Sequence, residues 1–381
     1  MELDLSKIRE EIDAVDAQLV ELFRRRMALS GDVAAYKAER GLPVLDAARE
    51  RQKLASIARM AGEDMASYAC TLYNTIFEVS RLEQERLLRP ASETVSVIEA
   101  ALEQTAKVFP AHATVACQGT EGAYSAIAAE KLFRNPVLTY YDSWEKVFAA
   151  IDAGECDYGV LPLENSTAGS VTRVYDLMLR HHVSIVRSTR LHIDHQLLAP
   201  PGVALSDVRE VISHPQAIAQ SQEFLASLGV KVTACANTAE AAKAVAQSGR
   251  TDVAALASRS CAALYGLCPI ATSVQDNGNN HTRFICISKK TEIYPGADRT
   301  SIMLVTPHRP GALYQVMARC NALGINLIKL ESRPIPDRDF EFLFYFDLDV
   351  SVYAPEFLQL IAELERMCDE FRYLGSYSEI V

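Results

Sequence analysis

The chain has 381 residues, 49% hydrophobic and 23% charged, the mixture of a globular protein rather than a disordered or membrane-spanning one. That length exceeds what one hydrophobic core usually serves, so roughly two to three domains are expected. A formal net charge of −11 repels nucleic-acid phosphates and no apolar run is long enough to span lipid, so neither nucleic acid nor membrane is an expected partner. Met1 to Glu11 mixes acids and bases without the apolar stretch of a secretory signal, which makes the cytoplasm the expected compartment. The nine cysteines lack any C-x-x-C or zinc-like spacing and read as reduced thiols.

Residues 1–90 carry one proline, Pro43, and apolar residues at helical spacing: Ile8, Ile12, Val15, Leu19 and Leu22, then Leu29, Val33 and Tyr36. One long helix is predicted. Gly41 to Pro43 breaks it, a second helix starts near Asp46, and a third runs from about Asp64 to Leu88. So thin an all-α core predicts a homodimer or higher oligomer. Residues 91–112 form a linker with some helix.

Residues 113–290 alternate short apolar strands with helical stretches, an α/β pattern with mostly parallel pairing. The predicted strands are Val115 to Cys117, Tyr158 to Leu163, Ser184 to Arg187, Gln196 to Ala199, Val208 to Ile212, Val232 to Ala234, Val253 to Ala257 and Arg283 to Ile287. Residues 300–381 read as strand Ser301 to Val305, helix Ala312 to Leu323, strands Asn326 to Arg333 and Phe340 to Asp349, helix Pro355 to Cys368, and strand Arg372 to Tyr377. That order, βαββαβ, is that of an α+β ferredoxin-like domain.

Within the first helix, Arg26 and Lys37 are 11 residues apart and share a face to within roughly 20°, whereas Arg9, 17 residues before Arg26, points elsewhere. Asp46 with Glu50, and Ser80 with Gln84, are i, i+4 pairs. Any one of these groups alone reads as a solvated surface residue. Together, Arg9, Arg26, Lys37, Asp46, Arg49, Glu50, Ser80 and Gln84 resemble the all-helical chorismate mutases, in which two chains intertwine. The resemblance implies that Arg26 and a partner chain's Arg9 hold the carboxylates of chorismate. It makes Lys37 and Gln84 donors to the ether oxygen and Glu50 the acceptor of the ring hydroxyl, with Asp46, Arg49 and Ser80 completing the pocket. The rearrangement to prephenate is concerted, so such a site needs cations and shape rather than a nucleophile.

Four motifs punctuate the α/β segment: Gly119 to Ser125, Leu161 to Gly169, Ser213 to Gln216 and Asn280 to Phe284. The first three are expected to follow strands and open helices, with Ser, Thr or Asn at the caps and free N–H groups for anions. Their order resembles prephenate dehydratase, a two-lobed fold like that of periplasmic binding proteins. The resemblance implies prephenate-binding residues Ser125, Asn165, Ser166, Thr167, Ser213, Gln216, Thr282, Arg283 and Phe284. It makes Thr282 the donor to the departing hydroxyl, and Arg283 a partner for a substrate carboxylate.

The last segment resembles the ACT-type regulatory domain. Its motifs Pro310 to Leu313 and Glu331 to Pro334 imply an L-phenylalanine site at Gly311, Ala312, Leu313, Glu331, Ser332 and Arg333. His192, Asp194 and His195 do not converge as metal ligands on a strand, and the G-x-x-G of Gly119 and Gly122 is no nucleotide-binding pattern, so neither metal nor cofactor is expected. Taken whole, the chain resembles a bifunctional mutase and dehydratase of phenylalanine biosynthesis. The competing readings are a chain retaining one activity, or a solute-binding regulatory module.

Overall fold

The computed structural model describes residues 4–88, 91–335 and 342–381. The chain divides into two compact units. One holds the described residues up to Ser96 with Val305–Arg319 and Leu358–Phe371; the other holds the described residues of Val97–Leu304, Cys320–Phe357 and Arg372–Val381.

In the first unit, helix α1 (Leu5–Glu39) is capped by the Asp4 side chain on the Ser6 amide at 3.0 Å, and it ends before Gly41 at φ +62°. Helix α2 (Ala47–Ala61) is capped by Asp46, and α3 (Ala66–Leu88) packs against both α1 and α2. The apolar core of these three helices is thin, as expected: Ala34, Ile57 and Phe77 are buried. By contrast Ile12, Val15, Leu19, Leu22 and Leu29 of α1 remain 53, 54, 54, 61 and 57% exposed, an apolar stripe that the described residues do not cover. The expected linker contains the helix Glu93–Gln104.

The second unit is built on three sheets. Its strands are β1 His112–Gln118, β2 Asn135–Tyr141, β3 Tyr158–Asn165, β4 Gly169–Ser170, β5 Ser184–His192, β6 Gln196–Ala199, β7 Glu210–Ser213 and β8 Lys231–Ala234. They continue as β9 Val253–Ala257, β10 Cys268–Ala271, β11 His281–Ser288, β12 Arg299–Val305, β13 Asn326–Pro334, β14 Phe342–Asp349, β15 Glu370–Tyr377 and β16 Glu379–Ile380. The orders are β16-β5-β11-β3-β1-β2 with β4 beside β3, then β10-β6-β9-β7-β8, and β13-β14-β12-β15. The first two sheets are the two lobes, each with its own apolar core.

The expected parallel majority does not hold. β1 pairs in parallel with β2 and β3, and β7 with β8 and β9. However, β11 returns antiparallel between β3 and β5, and β6 runs antiparallel to both β9 and β10. The strand Asn135–Tyr141 escaped the sequence because it is a half-exposed edge with Pro136, lacking an apolar run. The C-terminal residues also extend the first lobe, since β16 pairs with β5. Beside it Gly375, at φ +138°, lies so close to β5 that a Cβ would sit 2.2 Å from the Ile185 carbonyl oxygen. Among the described residues no helix is long and apolar enough to cross a membrane. The strand predicted to begin at Phe340 begins, within the described residues, at Phe342.

Candidate active sites

A cleft of about 290 Å³ opens between α1, the start of α2 and α3. Arg26, Lys37, Asp46, Arg49, Glu50, Ser80 and Gln84 all line it, joined by Lys53 and Arg81, which the sequence did not single out. Five cations therefore face the two carboxylates Asp46 and Glu50. Arg26 donates to the Ser80 hydroxyl and lies over the Phe77 ring at 5.5 Å, and burial lowers its pKa from the ordinary value. Gln84 donates through Nε2 to Ser30 Oγ at 3.1 Å, while its buried Oε1 has no partner. Lys37 Nζ donates to the Val44 carbonyl at 2.5 Å, and Glu50 is ion-paired with Arg81. Asp46 is spent partly on capping α2, through the Arg49 amide at 2.9 Å. Arg9 is exposed and lies 17 residues back along α1, about 25 Å at a rise of 1.5 Å per residue. It does not line this cleft.

The second cleft, of about 400 Å³, lies between the two lobes of the second unit and is lined by Ser125, Asn165, Gln216, Thr282 and Phe284 among the expected residues. Asn165 organises it. Its Oδ1 accepts from the amides of Thr167 and Ala168 at 3.0 and 2.8 Å, which fixes the amide orientation. Its Nδ2 then donates to Asn280 Oδ1 at 2.7 Å and to Thr282 Oγ1 at 2.9 Å. Thr282 is the acceptor in that bond, so its own hydroxyl proton is left to donate elsewhere. The first turns of the helices Tyr124–Leu132, Trp144–Ala153 and Thr238–Gln247 also border the cleft, with the carboxylates Asp142 and Glu145, and among the described residues no Lys or Arg lines it. Such helix N-termini attract anions through free N–H groups. His195 and His214, also on the wall, have pKa values below the ordinary value because burial disfavours the charged ring.

Four expected residues do not line this cleft. Arg283 alternates away from Thr282 and is 3% exposed, with its guanidinium on Asp347 at 2.5 Å, so it faces a protein carboxylate away from the cleft and not the cleft where the substrate carboxylate was expected. Ser213 is fully buried and donates to the Leu256 carbonyl at 2.6 Å, inside the second lobe. Ser166 ties the β3–β4 turn to Asn279 at 2.8 Å. Thr167 lines an adjoining hollow with Gln216 and Gln220. Capping also departs from expectation: Ala123, not Ser125, precedes the first helix without a side-chain cap, and the second motif closes a β3–β4 hairpin rather than opening a helix. Among the wall residues missed, Asn237 carried a legible signal. It follows a strand and caps the next helix on the Glu240 amide at 2.8 Å.

In the C-terminal motifs, Gly311 has φ +82°, a left-handed backbone that favours glycine, immediately before the helix Ala312–Ala322. Ala312 and Leu313 open that helix. On β13, Glu331 accepts from the Ser170 hydroxyl at 2.7 Å and Arg333 pairs with Asp176 at 3.0 Å, with Ser332 between them.

Over residues 8–85 the chain matches the family model Chorismate mutase type II, and over 115–292 the family model Prephenate dehydratase. The bifunctional chorismate mutase/prephenate dehydratase of Escherichia coli is 30% identical over 385 residues, covering 98% of this chain and 96% of that one. The arogenate dehydratase/prephenate dehydratase 2 of Arabidopsis thaliana is 39% identical over 275 residues, 69% of this chain and 72% of its own. A prephenate dehydratase from Arthrobacter aurescens, solved in complex with L-Phe, aligns with a TM-score of 0.64 at 27% identity over 70% of this chain and 89% of that chain. One cleft falls in each matched region, and the chain belongs to the bifunctional chorismate mutase/prephenate dehydratase family, enzymes of phenylalanine biosynthesis that rearrange chorismate to prephenate and convert prephenate to phenylpyruvate.

Proposed function

We propose that the cationic helical cleft performs the mutase step, that the Asn165–Thr282 cleft performs the dehydratase step, and that L-phenylalanine bound by the C-terminal segment restrains the second. The observation that carries this reading is the contrast between the clefts: among the described residues, five cations line the first, whereas the second is lined by Asn165 and Thr282 with no Lys or Arg. In the mutase cleft Arg26, with Arg9 of a second copy, holds the carboxylates of chorismate, Arg49 completes the pocket, and Lys37 and Gln84 turn to the ether oxygen as its bond breaks. Glu50, set by Arg81, takes the ring hydroxyl. The site is completed by Arg9 of a second copy, because Arg9 lies too far along its own helix and α1 leaves its apolar stripe exposed.

In the dehydratase cleft the dianion of prephenate lies against the helix N-termini. The bond to the departing carboxylate supplies the electron pair that aromatises the ring as carbon dioxide leaves. The ring hydroxyl departs as water with Thr282 as its oriented hydrogen-bond donor, and the one proton consumed comes from solvent, which restores the threonine hydroxyl. For the C-terminal segment, the order βαββαβ and the sheet β13-β14-β12-β15 support a ferredoxin-like ACT domain. The L-Phe complex of the Arthrobacter aurescens relative supports its ligand.

Incubation with chorismate and mass identification of products tests the assignment: phenylpyruvate is expected, and accumulation of prephenate or unchanged chorismate contradicts it. Mixing Arg9→Ala with Lys37→Ala chains tests the shared site, and restored mutase activity in verified heterodimers is expected. Calorimetry with L-phenylalanine on wild type and Gly311→Val tests the effector site, where equal binding by both refutes the assigned pocket.

A further inference from the structure

Strands β3 and β11 run antiparallel in a register that sets Thr282 opposite Asn165 and Arg283 opposite Glu164. Side chains alternate across a strand, so these neighbouring cross-strand pairs face opposite sides of the sheet. Asn165 and Thr282 line the dehydratase cleft. Arg283 and Glu164 do not; they face the C-terminal sheet. Arg283, 3% exposed, donates through Nη1 to Asp347 Oδ2 at 2.5 Å and to Glu164 Oε1 at 3.3 Å, and through Nη2 to the Tyr377 hydroxyl at 2.6 Å. Asp347, 1% exposed, also accepts from Ser301 at 2.5 Å and Tyr345 at 2.7 Å. Lys329 on β13 pairs with Glu164 and donates to Ser170 at 2.9 Å.

One strand therefore presents its hydroxyl to the cleft while the adjacent residue is anchored on three other strands: β3, β14 and β15. Thr282 Oγ1 has Asn165 as its partner in the cleft, so where the hydroxyl stands depends on how β11 is held. The register of β11 against β3 shifts immediately after Arg283, which makes this the point where the strand needs an external anchor.

We propose that Arg283 is a positioning residue of the dehydratase, whose buried ion pair with Asp347 fixes β11 on the C-terminal sheet and holds the Thr282 hydroxyl where the substrate needs it. The C-terminal segment is then a structural part of the dehydratase site. An offset of about 1 Å at a reacting group costs about 100-fold in rate. Lysine keeps the charge of arginine but not the fork that spans Asp347 and Tyr377 together.

The test uses full-length Arg283→Lys, Asp347→Asn and Tyr377→Phe, each assayed for prephenate turnover and, as a check on folding, for turnover of chorismate at the separate helical cleft. Arg283→Lys and Asp347→Asn are expected to lower the dehydratase kcat roughly 10- to 100-fold with KM changed by less than about threefold and mutase rates unchanged. The double variant should be no worse than the poorer single one, because both remove the same pair. Tyr377→Phe keeps the ion pair and loses one acceptor, so a loss of kcat of about threefold is expected, and this variant carries the test if the buried-charge variants do not fold. An unchanged kcat in the folded variants overturns the proposal. A raised KM with kcat retained also overturns it, since that would mean Arg283 binds substrate directly.

Discussion

Asn165→Asp replaces one NH2 group by an oxygen at the centre of the dehydratase cleft, with no change of volume. In the wild type that group donates to Asn280 Oδ1, the His281 carbonyl and Thr282 Oγ1 at 2.7, 3.2 and 2.9 Å. Its two N–H groups are shared among these three acceptors; losing them costs about 1 kcal/mol each, and two of the former acceptors cannot rotate to donate. An ionised carboxylate there, at a site 6% exposed and without a facing cation, raises the total to about 3–5 kcal/mol. Burial and the facing oxygens raise the pKa of the introduced carboxyl above its unfolded value of about 3.9. The unfolded chain then releases its proton first, so stability falls as pH rises from about 4 to the raised folded pKa, by about 1.4 kcal/mol per unit, and is level above it. Thermal melting from pH 4.5 to 8, beside wild type and the non-titrating Asn165→Ala, reads this out. At about 2–4 °C per kcal/mol the deficit at pH 8 is about 6–20 °C, shrinking toward low pH, where a protonated oxygen can again donate. A deficit that does not change with pH, or one smaller at pH 8 than that of Asn165→Ala, refutes the reasoning.

The two activities are separable: Lys37→Ala should lower mutase turnover at least about 100-fold and spare added prephenate, and Thr282→Ala should do the reverse, each measured with both substrates. Gly375→Ala should destabilise the protein by more than about 4 kcal/mol, seen as a lowered melting temperature or insolubility, because its methyl would meet the Ile185 carbonyl oxygen at 2.2 Å. His195 is held neutral by burial, so its folded pKa lies below the unfolded one and its contribution is complete above about pH 6.5 and lost as pH falls, by up to about 1.4 kcal/mol per unit. His195→Gln does not titrate, and the difference in melting temperature between it and wild type should therefore shrink from pH 7.5 to 5.

The sequence by itself determined the elements that local chemistry dictates. The 3.6-residue period of α1, the break at Gly41 to Pro43 and the Asp46 cap are local signals, and the helices stand where those signals predict. The convergence of Arg26, Lys37, Glu50, Ser80 and Gln84 followed from helical spacing together with family resemblance, and the cleft contains them all. Tertiary structure decided what depends on the opposite side of a strand. Thr282 and Arg283 are adjacent in one motif, and nothing in that motif says which faces the cleft; Asp347, 64 residues away, takes the arginine. The family resemblance of its motif implies Ser213 as a ligand residue, yet the Leu256 carbonyl on β9 takes its hydroxyl. The antiparallel return of β11 was likewise hidden, because strand direction is set by which partner a chain meets and by loops that carry no periodic pattern. Spacing along the chain specifies a helical face, whereas the face of a central strand buried on both sides is specified only by what packs against it.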